Sequence, residues 1–401
     1  MPTTRKPAAP APKKKKAPKA AAGPLTLEQA RAIVGVTAEP PEPAAAAPAS
    51  KRRAAAPRRA SRGAGGAVAA AIDTVAPTPT PATVAIERRQ LEIKDREQRK
   101  QRLHDYKATL ALLQERGVKG LPEAPPAPLT PAAGPKRRRG PGAPGAAAAA
   151  AASGPLRIFA EGDSWFDYPV PFFGGGLVPR LEDRLGVPIL NMAKAGDETR
   201  FMLGVEQRQL IARQFRDGCP DGTPWELMLF SGGGNDIVAQ PLALWVRDFN
   251  TTAPPAKLLN QARFSSALAL VQAAYEDLIE MRDLLSPSTH LAFHAYDFVI
   301  PDGRGICHLG PWLKPAFDLH GFPADLASST AVVREMLIQF AAMLKALESH
   351  PRVTFIKAQG TLPAVKSSWH NEMHPSRSGF NQIAAKFHAA IKAMFPGRVV
   401  A

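Results

Sequence analysis

Five short apolar runs, each followed by a longer amphipathic stretch, do most to limit what this chain can become. The runs lie at 157–161, 188–193, 226–231, 290–296 and 353–358. Helical patterns fall near 176–186, 199–215, 264–285, 328–349 and 378–395. The third is the clearest: Phe264, Leu268, Val271, Ala274, Tyr275, Leu278 and Met281 track one face of a helix. Strands alternating with helices of this length predict βαβ units and a five-stranded parallel sheet, hence an α/β class. Right-handed crossovers then bury that sheet on both faces.

The pattern begins only at residue 155. Residues 1–150 hold 28 Lys+Arg against 11 Asp+Glu, so the net charge of +16 carried by all 401 residues resides there. The same part has 22 of the 41 prolines and a single aromatic residue, Tyr106. Such a composition cannot bury enough apolar surface to offset the entropy of ordering. Residues 1–83 therefore read as a disordered Lys/Ala/Pro-rich region, with a short helix conceivable at Leu25–Val36. Residues 84–117 lack proline and carry alternating charge, with Glu92–Arg96 and Asp95–Arg99 as i,i+4 pairs. A charged amphipathic helix is expected, ending at Gly117, with Leu103, Tyr106, Leu110 and Leu113 on one face. That stripe suits docking, while a solvated helix is an equal reading. Residues 118–154 are a Pro/Ala/Arg linker.

The basic clusters Lys13–Lys16, Lys51–Arg53, Arg58–Arg59 and Lys136–Arg139 could attract nucleic acid or an anionic surface without reading sequence. No aromatics are interleaved to stack bases. Two cysteines, Cys219 and Cys307, give neither a disulfide framework nor a metal spacing. No run has the ~18 apolar residues of a membrane helix, and no apolar segment of a secretory signal follows the basic start. A cytoplasmic protein is the default expectation; export without a cleaved signal is compatible with the same sequence. Oligomeric state is not legible.

In an open α/β sheet, ligands bind outside the carboxyl ends of the strands. The first run ends in Gly162-Asp163-Ser164-Trp165-Phe166, delivering a serine into a turn. The second is followed by Gly196. The third ends in Gly232-Gly233-Gly234-Asn235-Asp236, where glycines permit close approach and Asn235 offers an amide donor. Near the end, Trp369-His370-Asn371-Glu372-Met373-His374-Pro375-Ser376 opens the last helix, with Pro375 and Ser376 suited to its start.

Together, Gly162-Asp163-Ser164, Gly196, Gly234-Asn235-Asp236 and His374-Pro375 resemble the SGNH, or GDSL-type, hydrolases. The resemblance covers residues of about 155–398 and none of the N-terminal region. It implies a flavodoxin-like three-layer α/β/α domain and a serine hydrolase cleaving a carboxylic ester, acyl or acetyl, with no cofactor and no metal. Ser164 would be the nucleophile and His374 the base. The amide N–H groups of Ser164 and Gly196 and the Asn235 side chain would form the oxyanion hole. Ester hydrolysis needs these parts: a nucleophile, a base, and donors aimed at the developing oxyanion.

One position departs from the family. Where an Asp usually stands three residues before the His, this chain has Asn371. Asn371 could orient the imidazole, Glu372 could replace it through an altered loop path, or a backbone carbonyl could serve. Without an anionic partner, His374 is expected to titrate near the ordinary ~6.5.

Other residues read more plainly. Asp163 should bond turn amides beneath Ser164, and Asp236 should brace the Asn235 loop. His290, His294, His308 and His320 show no metal-ligand spacing, and His370, beside the His374 block, reads as a surface or pocket-wall residue. Gly174-Gly175-Gly176 lacks the Gly-Lys-Ser/Thr of a phosphate loop. Trp165, Phe166, Phe172 and Phe173, with the long connection 298–327 bearing Trp312 and Phe317, suggest aromatic walls for a small-molecule, carbohydrate or lipid ester. The competing class is an inactive hydrolase-fold binding protein attached through its basic tail, which Asn371 favours and the intact Ser164, Gly196, Asn235 and His374 oppose.

Overall fold

The computed structural model describes residues 25–35, 81–116, 154–168, 175–306 and 310–399. The four basic clusters, Phe172-Phe173, Cys307 and His308 lie outside them. The labelled strands are β1 (Ile158–Gly162), β2 (Ile189–Asn191), β3 (Leu227–Ser231), β4 (His290–His294) and β5 (Val353–Ile356). The labelled helices are α1 (Leu27–Val34), α2 (Pro81–Arg116), α3 (Leu177–Leu185), α4 (Val205–Asp217), α5 (Gln261–Leu285), α6 (Ala327–Ala346) and α7 (Arg377–Met394).

All five strands are parallel, in the order β2-β1-β3-β4-β5. This is the flavodoxin-like doubly wound order, whose switch point lies between β1 and β3. β1 and β3 are buried along their whole length, as strands covered on both faces must be. Helices α3 and α7 pack together, and α5 packs with α4 and α6.

The expected 199–215 helix is broken in two. A short turn, Thr199–Met202, stops before Gly204, which has extended backbone and starts α4. A Cβ at Gly204 would lie 2.7 Å from the Arg200 carbonyl oxygen, so the close approach requires glycine. α7 begins as expected: the Ser376 hydroxyl accepts from Gly379 N–H at 3.2 Å.

In the N-terminal part the conceivable short helix is present, the charged helix begins at Pro81 rather than 84, and the choice between docked and solvated helix is resolved. Leu27–Val34 folds as a helix with a full capping box between Thr26 and Gln29. It packs on α2, and its Arg31 forms an ion pair with Glu182 of α3. α2 runs beside the edge strand β2, covering backbone that would otherwise invite pairing. Its stripe docks. Tyr106 and Leu110 join the main core and Leu113 packs with Leu25, Leu27 and Ala30. Tyr106 lies 5.5 Å from Trp225, ring centre to ring centre, and meets the buried thiol of Cys219. Burial of each such side chain stabilises by about 1.5–3 kcal/mol, well above what an exposed i,i+4 charge pair supplies.

Among the described residues, no helix is long and apolar enough to cross a membrane.

Candidate active site

Register places the site. Gly162 of β1 pairs with Ser231 of β3, and Asp163 N–H continues the ladder to the Ser231 carbonyl at 3.0 Å. Both strands thus release their chains at the same edge, Ser164 from one and Asn235 from the other. A Cβ at Gly162 would sit 2.6 Å from the Ser231 carbonyl oxygen. At Gly234, a Cβ would collide with the Tyr296 ring at 2.7 Å. These two glycines are demanded by close approach.

Beneath Ser164, Asp163 is wholly enclosed. Its carboxylate accepts from Trp165 N–H (3.0 Å), the Ser231 hydroxyl (2.9 Å) and the Tyr296 hydroxyl (2.5 Å). Burial raises its carboxyl to about 6 despite these bonds. Asp163 is the turn's scaffold, as expected. Asp236 accepts from Thr199 N–H and, at 2.6 Å, from its hydroxyl, bracing the Asn235 loop against the 199–202 turn.

His374 approaches from the loop before α7. Its Nε2 lies 2.6 Å from Ser164 Oγ, and its Nδ1 lies 2.9 Å from Asn371 Oδ1. The same Oδ1 accepts the backbone N–H groups of Met373 and His374, both at 2.9 Å. Two N–H donors on one atom require it to be the carbonyl oxygen, which fixes the amide's orientation. A carbonyl oxygen only accepts, so Nδ1 carries the proton and Nε2 presents its lone pair to the serine hydroxyl. A base needs that tautomer.

Of the three readings for the third position, Asn371 is the one that faces the imidazole. Glu372 points elsewhere. Its buried carboxylate accepts backbone N–H groups of Gly303 (2.9 Å), Trp312 (2.6 Å), Leu313 (2.8 Å) and Lys314 (3.0 Å). Glu372 therefore clamps the long 298–327 connection and holds Trp312 edge-on to His374, 5.8 Å between ring centres.

His374 departs from the expected ordinary titration. Burial, assisted by nearby His370, lowers it to about 3. The cause is the enclosure: only 5% of the residue is exposed, and no anion offsets the lost hydration of the imidazolium. Tyr168 adds to it, stacked on His374 at 4.4 Å. The Tyr168 hydroxyl also accepts from Asn371 Nδ2 at 3.2 Å and meets His370 Nδ1 at 2.7 Å. Tyr168 was not picked out by sequence reasoning; its distance of four residues from Ser164 was the available signal. Trp165 and Phe166 were expected as pocket walls. Trp165 lines the cavity beside Ser164 and Phe166 a neighbouring one; both also stack on buried His294 at 5.6 Å, and Trp165 Nε1 donates to the Met373 carbonyl, tying the serine turn to the histidine loop.

Ser164 and Asn235 line one small, partly open cavity of about 30 Å³ with Trp165, Ile237, Val238, Val299, Leu337 and Met373. Asn235 Nδ2 donates to the Asp197 carbonyl at 2.9 Å; an amide nitrogen has a second N–H to offer. Gly196, the neighbour of Asp197, stands exposed on its loop with φ of 86°. Among the described residues no three His, Cys, Asp or Glu side chains converge to hold a metal ion.

No family model matches the chain, and no curated protein matches it. Solved structures similar to it include a lipase, Lip_vut3, from a goat rumen metagenome (18% identity, TM-score 0.38, covering 59% of this chain and 97% of that one). An extracellular lipase from Streptomyces rimosus has 16% identity and TM-score 0.40, with 59% and 99% coverage. Est24, a carbohydrate acetylesterase from Sinorhizobium meliloti, has 13% identity and TM-score 0.37, with 60% and 99% coverage.

Proposed function

We propose that this protein is a serine hydrolase of carboxylic esters that works through an acyl-enzyme, as in the SGNH-type hydrolases its motifs resemble. The observation that carries the reading is the 2.6 Å contact between Ser164 Oγ and His374 Nε2, with the ring's tautomer held by Asn371. Ser164 attacks the ester carbonyl while His374 Nε2 takes its proton. The tetrahedral oxyanion is met by the N–H groups of Ser164 and Gly196 and by Asn235. His374 then returns the proton to the leaving alkoxide, and water repeats the sequence to release the acid. Each oxyanion donor of this kind is worth about 3 kcal/mol. The low titration of His374 keeps the base neutral across the ordinary pH range but makes it a weak one.

The cavity beside Ser164 supports a short acyl group. Its 30 Å³ and its apolar lining suit an acetyl methyl better than a long chain. The test is reaction with a fluorophosphonate together with turnover of p-nitrophenyl acetate and octanoate. Wild type should be labelled and should prefer acetate, whereas Ser164→Ala should do neither while melting at nearly the same temperature. Labelling that persists in Ser164→Ala refutes the nucleophile assignment.

A further inference from the structure

The apolar half of the α2 stripe anchors the helix on the domain, but the preceding turns carry arginines that reach the site. Arg102 extends its guanidinium between two loops. Nη1 donates to the Ala193 carbonyl at 3.1 Å, and Nη2 pairs with Asp167 Oδ1 at 2.6 Å. Asp167 lies three residues after Ser164, in the nucleophile's turn, and Ala193 lies three residues before Gly196. Each loop is proposed above to supply an N–H donor to the same oxyanion.

Two other hydrogen bonds tie these segments among those described: Lys194 N–H to the Gly162 carbonyl at 2.9 Å and Asn191 Nδ2 to the Phe166 carbonyl at a long 3.3 Å. The space beside the bridge is open. Arg102, Phe166, Asp167, Tyr168 and Asn191 line a cavity of about 210 Å³. The arginine bridge is the tie that reaches the far end of the serine turn, at Asp167, beyond the reach of the Lys194–Gly162 bond. Arg99, one helical turn earlier, acts in the same direction: it donates to Gln207 Oε1 at 2.6 Å, and Gln207 in turn holds Glu161 of β1.

We infer that Arg102 of α2 is a positioning residue for the reaction, setting the spacing between the Ser164 turn and the Gly196 loop and thus completing the oxyanion hole from the N-terminal part of the chain. The inference rests on the hydrolase reading. A guanidinium suits the task because its planar fork spans two acceptors, whereas an ammonium is a point donor that cannot hold both in a fixed relation. Misplacement of an oxyanion donor by an ångström is enough to cost on the order of a hundredfold in rate.

The experiment compares full-length wild type, Arg102→Lys, Arg102→Ala and Leu110→Ala by kcat, KM, fluorophosphonate labelling rate and melting temperature. Both Arg102 variants should lose about ten- to a hundredfold in kcat and in labelling rate, with KM changed by less than about threefold, since Arg102 touches no substrate. Their melting should fall by no more than about 4 °C, because a partly exposed ion pair contributes little to stability. Leu110→Ala, which weakens the anchor without touching either loop, should lower melting further yet keep kcat at temperatures where it is folded. Wild-type kcat in both Arg102 variants overturns the inference, as does a loss in them that follows only the unfolded fraction. In either case a labelled wild type leaves the hydrolase reading standing. A wild type that neither turns over nor labels overturns both.

Discussion

Replacing Asn371 by Asp asks how much the missing charge matters. The new carboxylate would inherit the contacts of Asn371 Oδ1, 2.9 Å from His374 Nδ1 and from two backbone N–H groups. An anion this close raises a neighbouring histidine by about one to three pK units, or roughly 1.4–4 kcal/mol in favour of imidazolium. His374 would move from about 3 to roughly 4–6. One contact opposes the change: the second carboxylate oxygen would replace Nδ2 opposite Tyr168. The tyrosine would have to turn its O–H from His370 to the carboxylate, at a cost of about 1 kcal/mol. The charge term exceeds that cost.

Imidazolium forms in the transition state, so Asn371→Asp should raise kcat on p-nitrophenyl acetate at neutral pH by tenfold or more, on the order set by 1.4 kcal/mol per decade. The sign of the pH effect is also fixed. Activity requires neutral His374 and is lost as pH falls through its pKa. The acid limb should therefore shift upward by about one to three units in the variant. An unchanged kcat with an unmoved acid limb would refute the reasoning, since it would mean that Asn371 leaves the ring in the reacting state.

Two further outcomes concern stability. Burial raises the Glu161 carboxyl from its ordinary 4.5 to about 8, so the folded protein holds a proton that the unfolded chain releases. Stability is then full below about 4.5 and falls as pH rises through 8, a loss of roughly 3 kcal/mol by pH 7. Glu161→Gln should melt higher than wild type at pH 8 and near wild type at pH 5; parallel melting curves at both would contradict the assignment. Glu372→Ala strips the acceptor from four backbone N–H groups and should cost at least about 3 kcal/mol, or roughly 6–12 °C in melting. It should leave the acid limb in place, and a shifted limb with unchanged melting would instead put Glu372 in the chemistry.

The sheet was legible because burial imposes period and length. A strand covered on both faces must be a short continuous apolar run, and all five runs became strands. The helices were legible for the same reason, except where Gly204 interrupts one. Ser164, Asn235 and the His374 loop were legible because strand ends in a doubly wound sheet converge, which turns separated motifs into one place. Three other features were hidden for a common physical cause: their partners are distant in sequence and polar. Asn371 meets Tyr168 across 203 residues, and Glu372 meets backbone N–H groups rather than side chains. Arg102 meets Asp167 across 65 residues, from a helix whose composition suited solvent equally well. Periodicity reports which face is buried and is silent on what a charged residue beside that face will grip. α2 makes the distinction concrete. Tyr106 and Leu110 could be read as a docking stripe, but only the docked register brings Arg102 over the two loops. The residues that tune this site are thus expected where amphipathic pattern ends, at the polar margin of a docked face, one turn before the apolar anchor.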